Sequence, residues 1–143
     1  MRYDRGLMAT KSTAAEAARA SAEPGTLTLV CVLAWAVPGA AHFWLGRRQQ
    51  GLVFLVVLSL MFGIGLMLEG RIFPFELGEP LVALAAIADL GIGVPWILAR
   101  IMGGGAGTVT AATFEYGNTF LIVAGLLNFL VMLDAFDIAM GRK

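Results

Sequence analysis

Asp89 has the most chemistry to offer, because of where it lies. It interrupts an apolar run that begins at Leu81. A helix rising 1.5 Å per residue places it ~12 Å into that run, within the hydrocarbon of a bilayer. A carboxylate there costs at least ~2.5–3.5 kcal/mol unless it is paired or protonated. A proton or ion site is one reading. A clamp between helices is the other, and it is preferred, because a proton relay needs several such groups in series and only Asp89 is central. Asn128 lies at comparable depth in the last apolar run. An Asp89–Asn128 hydrogen bond is therefore expected to relieve both groups.

Asp134 and Asp137 are spaced i, i+3 and share one helical face. Two carboxylates can act as acid and base, but no nucleophile or metal-ligand set accompanies them. They fall at the C-terminal end of a helix, where the dipole disfavours negative charge. A compensating cation is expected from Arg71, Arg19 or Arg142. Glu115 is expected to pair with Arg47, Arg48 or Arg100. His42 is the only histidine. It could ligate a haem or chlorophyll axially, but a hydrogen-bonding role at the membrane interface, beside Phe43 and Trp44, is preferred. Cys31 is the only cysteine, so an intrachain disulfide is excluded, and it reads as a small buried hydrophobe. No catalytic residue, metal or cofactor is expected, and the chain does not read as an enzyme.

The elements that must position these groups follow from composition. The 143 residues are 59% hydrophobic and 14% charged, against roughly 45–50% and 25% in soluble domains. The mean hydropathy is +0.83. Lys+Arg and Asp+Glu are both 10, so no basic excess points to nucleic acid. The expected fold is all-α: an integral membrane bundle of about four transmembrane helices over residues 26–143, behind a polar tail at 1–25. The helices are expected over 27–45, 52–68, 81–101 and 119–138, each near the length that crosses a bilayer.

Several marks lie along the way. Thr13 and Glu16 have capping-box spacing in the tail. Pro38-Gly39 should kink the first helix, while Asp89 and Pro95 interrupt the third. The polar run Gly46–Gly51 is expected as a tight turn, and Asn118 or Thr119 as the N-cap of the last helix. Ala34-Trp35-Ala36 mimics a signal-peptide cleavage site, but apolar character continues past it. Gly103–Gly107 has neither the preceding strand nor the following Lys-Ser/Thr of a phosphate cradle. Ala36/Ala40, Ser59/Gly63 and Ala135/Ala139 have the spacing of close helix seams. No internal repeat is visible.

Four spans would put the termini and the 69–80 loop on one face, and the 46–51 and 102–117 connections on the other. Lys11, Arg19, Arg71, Arg142 and Lys143 then favour cytoplasmic termini over Arg47, Arg48 and Arg100.

Two stretches carry a resemblance. Pro38-Gly39-Ala40-Ala41-His42-Phe43-Trp44-Leu45-Gly46-Arg47, followed by Gly51, resembles the turn of the two-transmembrane-helix domain superfamily, where it joins two membrane helices. That resemblance implies a cytoplasmic turn. Thr110–Phe120, Ala124–Asn128 and Leu133–Ala139, taken with the first stretch, look like a family of small bacterial multi-pass membrane proteins of unknown function. That resemblance implies several membrane helices and supplies no reaction. The expected role is an accessory or structural subunit, or an assembly factor, of a larger complex in the bacterial inner membrane (respiratory, photosynthetic or other). Its partners would be the lipid bilayer and other membrane subunits or a second copy. The alternative is a small ion or proton channel or transporter using Asp89 and Asn128.

Overall fold

Two stretches are long and apolar enough to cross a bilayer as single rods, and in the computed structural model, which describes residues 23–143 and Met8, both do form unbroken helices. They are α3 (Arg48–Met67) and α6 (Phe114–Ala139). Each begins earlier than the sequence suggests. Arg48, Gln49 and Gln50 are helical, so the polar turn shrinks to Gly46 and Arg47. The N-cap of α6 is Thr113, not Asn118 or Thr119. Two ends fix the pairing of these helices. Gly65, late in α3, lies against Leu121 and Gly117, early in α6. Phe54, early in α3, lines a furrow with Asp134, late in α6. The two rods are antiparallel.

The other two expected spans are broken. The first divides into α1 (Pro24–Ala36) and α2 (Ala40–Trp44). Pro38 breaks the ladder as expected, Val37 is extended at φ −130° and Gly39 is left-handed at φ 78°. The 13 residues of α1 rise ~20 Å, short of the ~30 Å hydrocarbon core. The third divides into α4 (Pro80–Leu90) and α5 (Val94–Ile101), bent by 106°. The break falls at Gly91–Gly93, and Pro95 sits in the first turn of α5, where its missing N–H costs nothing. A bend beyond a right angle sends α5 back instead of onward. Two helices can thus cross a membrane, or three if the bent pair counts as one span.

Contacts with α6 and with the segment after α3 place the ends of the broken pairs. The carbonyl of Trp35, near the end of α1, meets Asn128, in the middle of α6. The chain then comes back to the C-terminal end of α6, where His42 meets Asp134. At the opposite end, α5 runs into Gly104 and Gly105, and the Gly105 carbonyl accepts the Ile72 N–H at 2.9 Å. An isolated bridge joins Arg71 to Ala106 beside it.

The order of short helix, glycine-bearing break, shorter helix and long helix therefore occurs twice, with the two long helices antiparallel. The repeat is not visible in the sequence because only the residues around its breaks correspond (Val37-Pro38-Gly39, and Gly93 with Val94-Pro95 opening α5), and their order differs.

This topology corrects the expected faces. The 46–51 segment lies with the C-terminus, and the 69–72 segment lies with 103–118. The tail positions Thr13, Glu16, Lys11 and Arg19 fall outside the described residues.

The core packs Leu58, Phe62, Ile72, Ile92 and Leu121 in one cluster, and Val30, Ala34, Ala41 and Ala135 in another. Of the expected small-residue seams, Ala135 and Ala139 do pack against α1 and α2. Ser59 is exposed, and a Cβ on Gly63 would meet nothing within 4 Å. The close approach is instead made by Gly65 and Gly117.

Candidate functional site: a polar node and a histidine pair

Breaking two helices inside a bundle frees carbonyls that must find donors. Asn128 supplies them. Its Nδ2 donates to the Trp35 carbonyl at 3.0 Å and to the Gly91 carbonyl at 2.8 Å. Trp35 Nε1 donates to the Leu90 carbonyl at 3.1 Å. The C-terminal ends of α1 and α4 are thus pinned to each other and to the middle of α6. Gly93 closes the node: its φ is +79°, and a Cβ there would run into the backbone of Trp35 and Ala36.

Asp89 is fully buried, as its depth in the apolar run predicts. It does not bond Asn128. Its Oδ2 accepts the Phe73 N–H at 3.0 Å. The reason is a matter of donors and acceptors. The freed carbonyls need a donor, which a carboxamide has and a carboxylate lacks. The extended segment after Arg71 has an N–H that needs an acceptor, and the carboxylate provides it. Asp89 Oδ1 and Asn128 Oδ1 are both buried without a partner among the described residues.

Asn118 does similar work at one end of the bundle. Its Oδ1 accepts the Arg71 N–H at 2.8 Å and holds the 69–72 segment onto α6. Read as a cap, Asn118 is instead an interior helical residue whose polarity serves a different segment.

His42 is fully buried within the protein. Its Nε2 lies 3.0 Å from Asp134 Oδ2, and its ring meets Phe54 edge-on at 5.0 Å between centroids. The expected hydrogen-bonding role is met by a carboxylate, and the nitrogen facing Asp134 is engaged. Nδ1 has no partner among the described residues.

Asp134 also pairs with Lys143, and Asp137 with Arg142 at 3.1 Å. The cation expected from Arg142 is confirmed. Arg71 is excluded, since its segment lies at the other end of the bundle. Among the described residues Glu115 has no ion pair. Arg47 and Arg48 are at the far end from it, and the Arg100 guanidinium lies over the Trp96 ring at 5.5 Å. Glu69 is held by the Thr108 hydroxyl at 2.8 Å.

The His42–Asp134 contact gives a direct expectation. Asp134→Ala leaves a buried imidazole with neither ring nitrogen partnered, and should cost ~1–3 kcal/mol. Asp134→Asn can still bond Nε2 and should cost less. Thermal unfolding of the two variants in mild detergent measures the difference; equal losses would show that the bond carries nothing.

No curated protein and no solved structure matches this chain. A family model, for a family of unknown function, matches residues 29–143.

Proposed function

The chain belongs to DUF6677, that family of unknown function, and from this premise we propose that it is a non-catalytic membrane protein serving as an accessory or structural subunit, or assembly factor, of a larger complex in a bacterial cytoplasmic membrane. The observation that carries this reading is how the intramembrane polar side chains are used. Such groups mark functional sites by default. Here Asn128 spends its hydrogen bonds on the carbonyls of broken helix ends and Asp89 on the backbone N–H of an extended segment, which is the work of a scaffold. Apolar faces such as Val53, Val57 and Leu60 on α3 and Leu126 and Leu130 on α6 are exposed and suit lipid or neighbouring helices.

Four segments would be embedded: α3 and α6 crossing, and α1–α2 and α4–α5 re-entering from opposite faces. Arg47, Arg48, Arg142 and Lys143 gather on one face, and Arg71 and Arg100 on the other. The positive-inside rule then favours a cytoplasmic C-terminus. That choice also agrees with the cytoplasmic turn implied by the two-helix resemblance, a conflict only while the turn and the C-terminus were taken to lie on opposite faces.

Affinity purification from native membranes in mild detergent tests the subunit reading. Reproducible co-purification with specific membrane partners is expected. A lone monomer, with no complex lost on deletion, would overturn it.

A second reading is favoured by the unpartnered Asp89 Oδ1 and Asn128 Oδ1: a small ion or proton pathway through Asp89. In that case Asp89→Asn abolishes flux in liposomes while the protein still folds. Flux equal to wild type removes this reading.

A further inference from the structure

A furrow of about 510 Å³ runs between α3 and α6. Val53 and Val57 of α3 and Leu127 and Leu130 of α6 line its apolar length, and its charged lining is Asp134, Asp137 and Lys143. From Leu127 to Asp137 a helix rises ~15 Å, half of the ~30 Å hydrocarbon core. The furrow is thus one leaflet deep, with its charges near the end of α6, where a bilayer would place its headgroups.

Its size limits the occupant. A helix is 10–12 Å across and fills roughly 1,200 Å³ or more over 15 Å of length. The furrow is too narrow for that and suits a single hydrocarbon chain.

The charged end selects the head. Two carboxylates line it against one ammonium, so nothing there favours a net anionic head. Arg142 bonds Asp137 at 3.1 Å and brings the group to neutrality, which suits a zwitterion. The hydrogen bonds say which zwitterion. Asp134 accepts from His42 and Lys143, and Asp137 Oδ1 accepts from Arg142. Asp137 Oδ2 has no hydrogen-bond partner among the described residues. A carboxylate offers about four lone-pair sites, so acceptors are in excess and N–H donors are short. A primary ammonium supplies three donors, and a quaternary one supplies none. Lys143 is half-exposed, and its ammonium keeps N–H groups for a phosphate.

We propose that this furrow binds a zwitterionic phospholipid whose head carries a primary amine. One acyl chain lies between α3 and α6, the ammonium meets the carboxylate of Asp137, and the phosphate meets Lys143. The inference needs the membrane location, and it is independent of whether the chain is a subunit of anything.

The test uses the full chain purified in mild detergent. Phosphatidylethanolamine, phosphatidylcholine and phosphatidylglycerol with the same acyl chains, and free phosphoethanolamine, are each titrated against the thermal unfolding midpoint. Phosphatidylethanolamine should raise the midpoint progressively, as ligand binding to the folded state does. The other two lipids should raise it less, and free phosphoethanolamine not at all. Asp137→Asn removes only a half-exposed ion pair, so it should unfold like wild type in detergent alone. It should bind phosphatidylethanolamine roughly tenfold more weakly, down to the level of phosphatidylcholine, having lost a charge-assisted hydrogen bond. Leu130→Trp, at an exposed position on the wall of the furrow, should reduce the effect of every lipid.

Equal effects of the ethanolamine and choline lipids on the wild type would overturn the proposal, and so would a larger effect of phosphatidylglycerol. A full preference for the ethanolamine lipid in Asp137→Asn, an unchanged lipid effect in Leu130→Trp, or a phosphoethanolamine effect as large as that of the lipid would each do the same. A lone monomer in the co-purification experiment, by contrast, would leave it standing.

Discussion

Gly125→Ala should destabilise the protein by about 3 kcal/mol or more, at the upper end of overpacking costs, while Gly63→Ala should leave it unchanged or stabilise it by about 0.5–1 kcal/mol. Both glycines lie within long helices, so helix propensity treats them alike. Packing separates them. A Cβ on Gly125 would run into the carbonyl of Ala88, in the last turns of α4. The obstacle is backbone, and it cannot swing aside as a side chain would. Making room means lifting α4 off α6, which also strains the Asn128–Gly91 bond close by. At Gly63 nothing stands within 4 Å, so an added methyl gains helix propensity at no steric cost. Unfolding of the two variants in the same detergent decides the matter. Equal effects would mean that the α4–α6 approach does not depend on small residues.

The contrast also shows what was legible in the sequence. Small-xxx-small spacing points to Ser59 and Gly63, yet the seams that matter use Gly65 with Gly117 and Gly125 with Ala88. Spacing along one helix cannot say which side faces a partner when apolar residues surround the helix on every side. The all-helical class and the two helices able to cross a membrane follow from hydropathy alone, because α3 and α6 are long unbroken apolar runs. The break at Pro38 is equally readable, since proline removes a backbone donor wherever it falls.

The return of the chain after each break is not readable. A kinked span and a re-entrant pair have the same composition, and the 106° bend comes from how α4 and α5 pack. The faces assigned to every connection depended on that distinction, and so did the partners of the charged residues. Arg71 could not reach Asp134 once two of the four segments turned back. His42 and Asp134, 92 residues apart, became neighbours for the same reason. Burial of Asp89 was legible because a carboxylate deep in an apolar run has few other options. Its partner was not, because a backbone N–H carries no sequence label.

Asn128→Leu should then produce a loss of about 2–6 kcal/mol, since two carbonyls, one buried and one half-buried, each forfeit a donor at ~1–3 kcal/mol. Leucine is close in size and suited to a helix, so neither volume nor propensity accounts for such a loss. The carbonyls of Trp35 and Gly91 sit at the broken ends of α1 and α4, out of reach of their own helical partners. Asn128→Asp discriminates further. An ionised carboxylate has no donor at all, and a protonated one donates a single bond, so aspartate cannot replace both contacts. Trp35→Phe removes only the indole bond to Leu90, and should cost ~1 kcal/mol as a lost hydrogen bond. The double variant should be non-additive, because both side chains secure the same two helix ends. Once Asn128 is gone, those ends are no longer held in register, and the indole has less left to stabilise. Simple additivity would mean that the two contacts act separately and that the node is not one unit. Wild-type stability of Asn128→Leu would remove the scaffold role of the residue and leave its burial in the middle of the bundle to be explained by conduction.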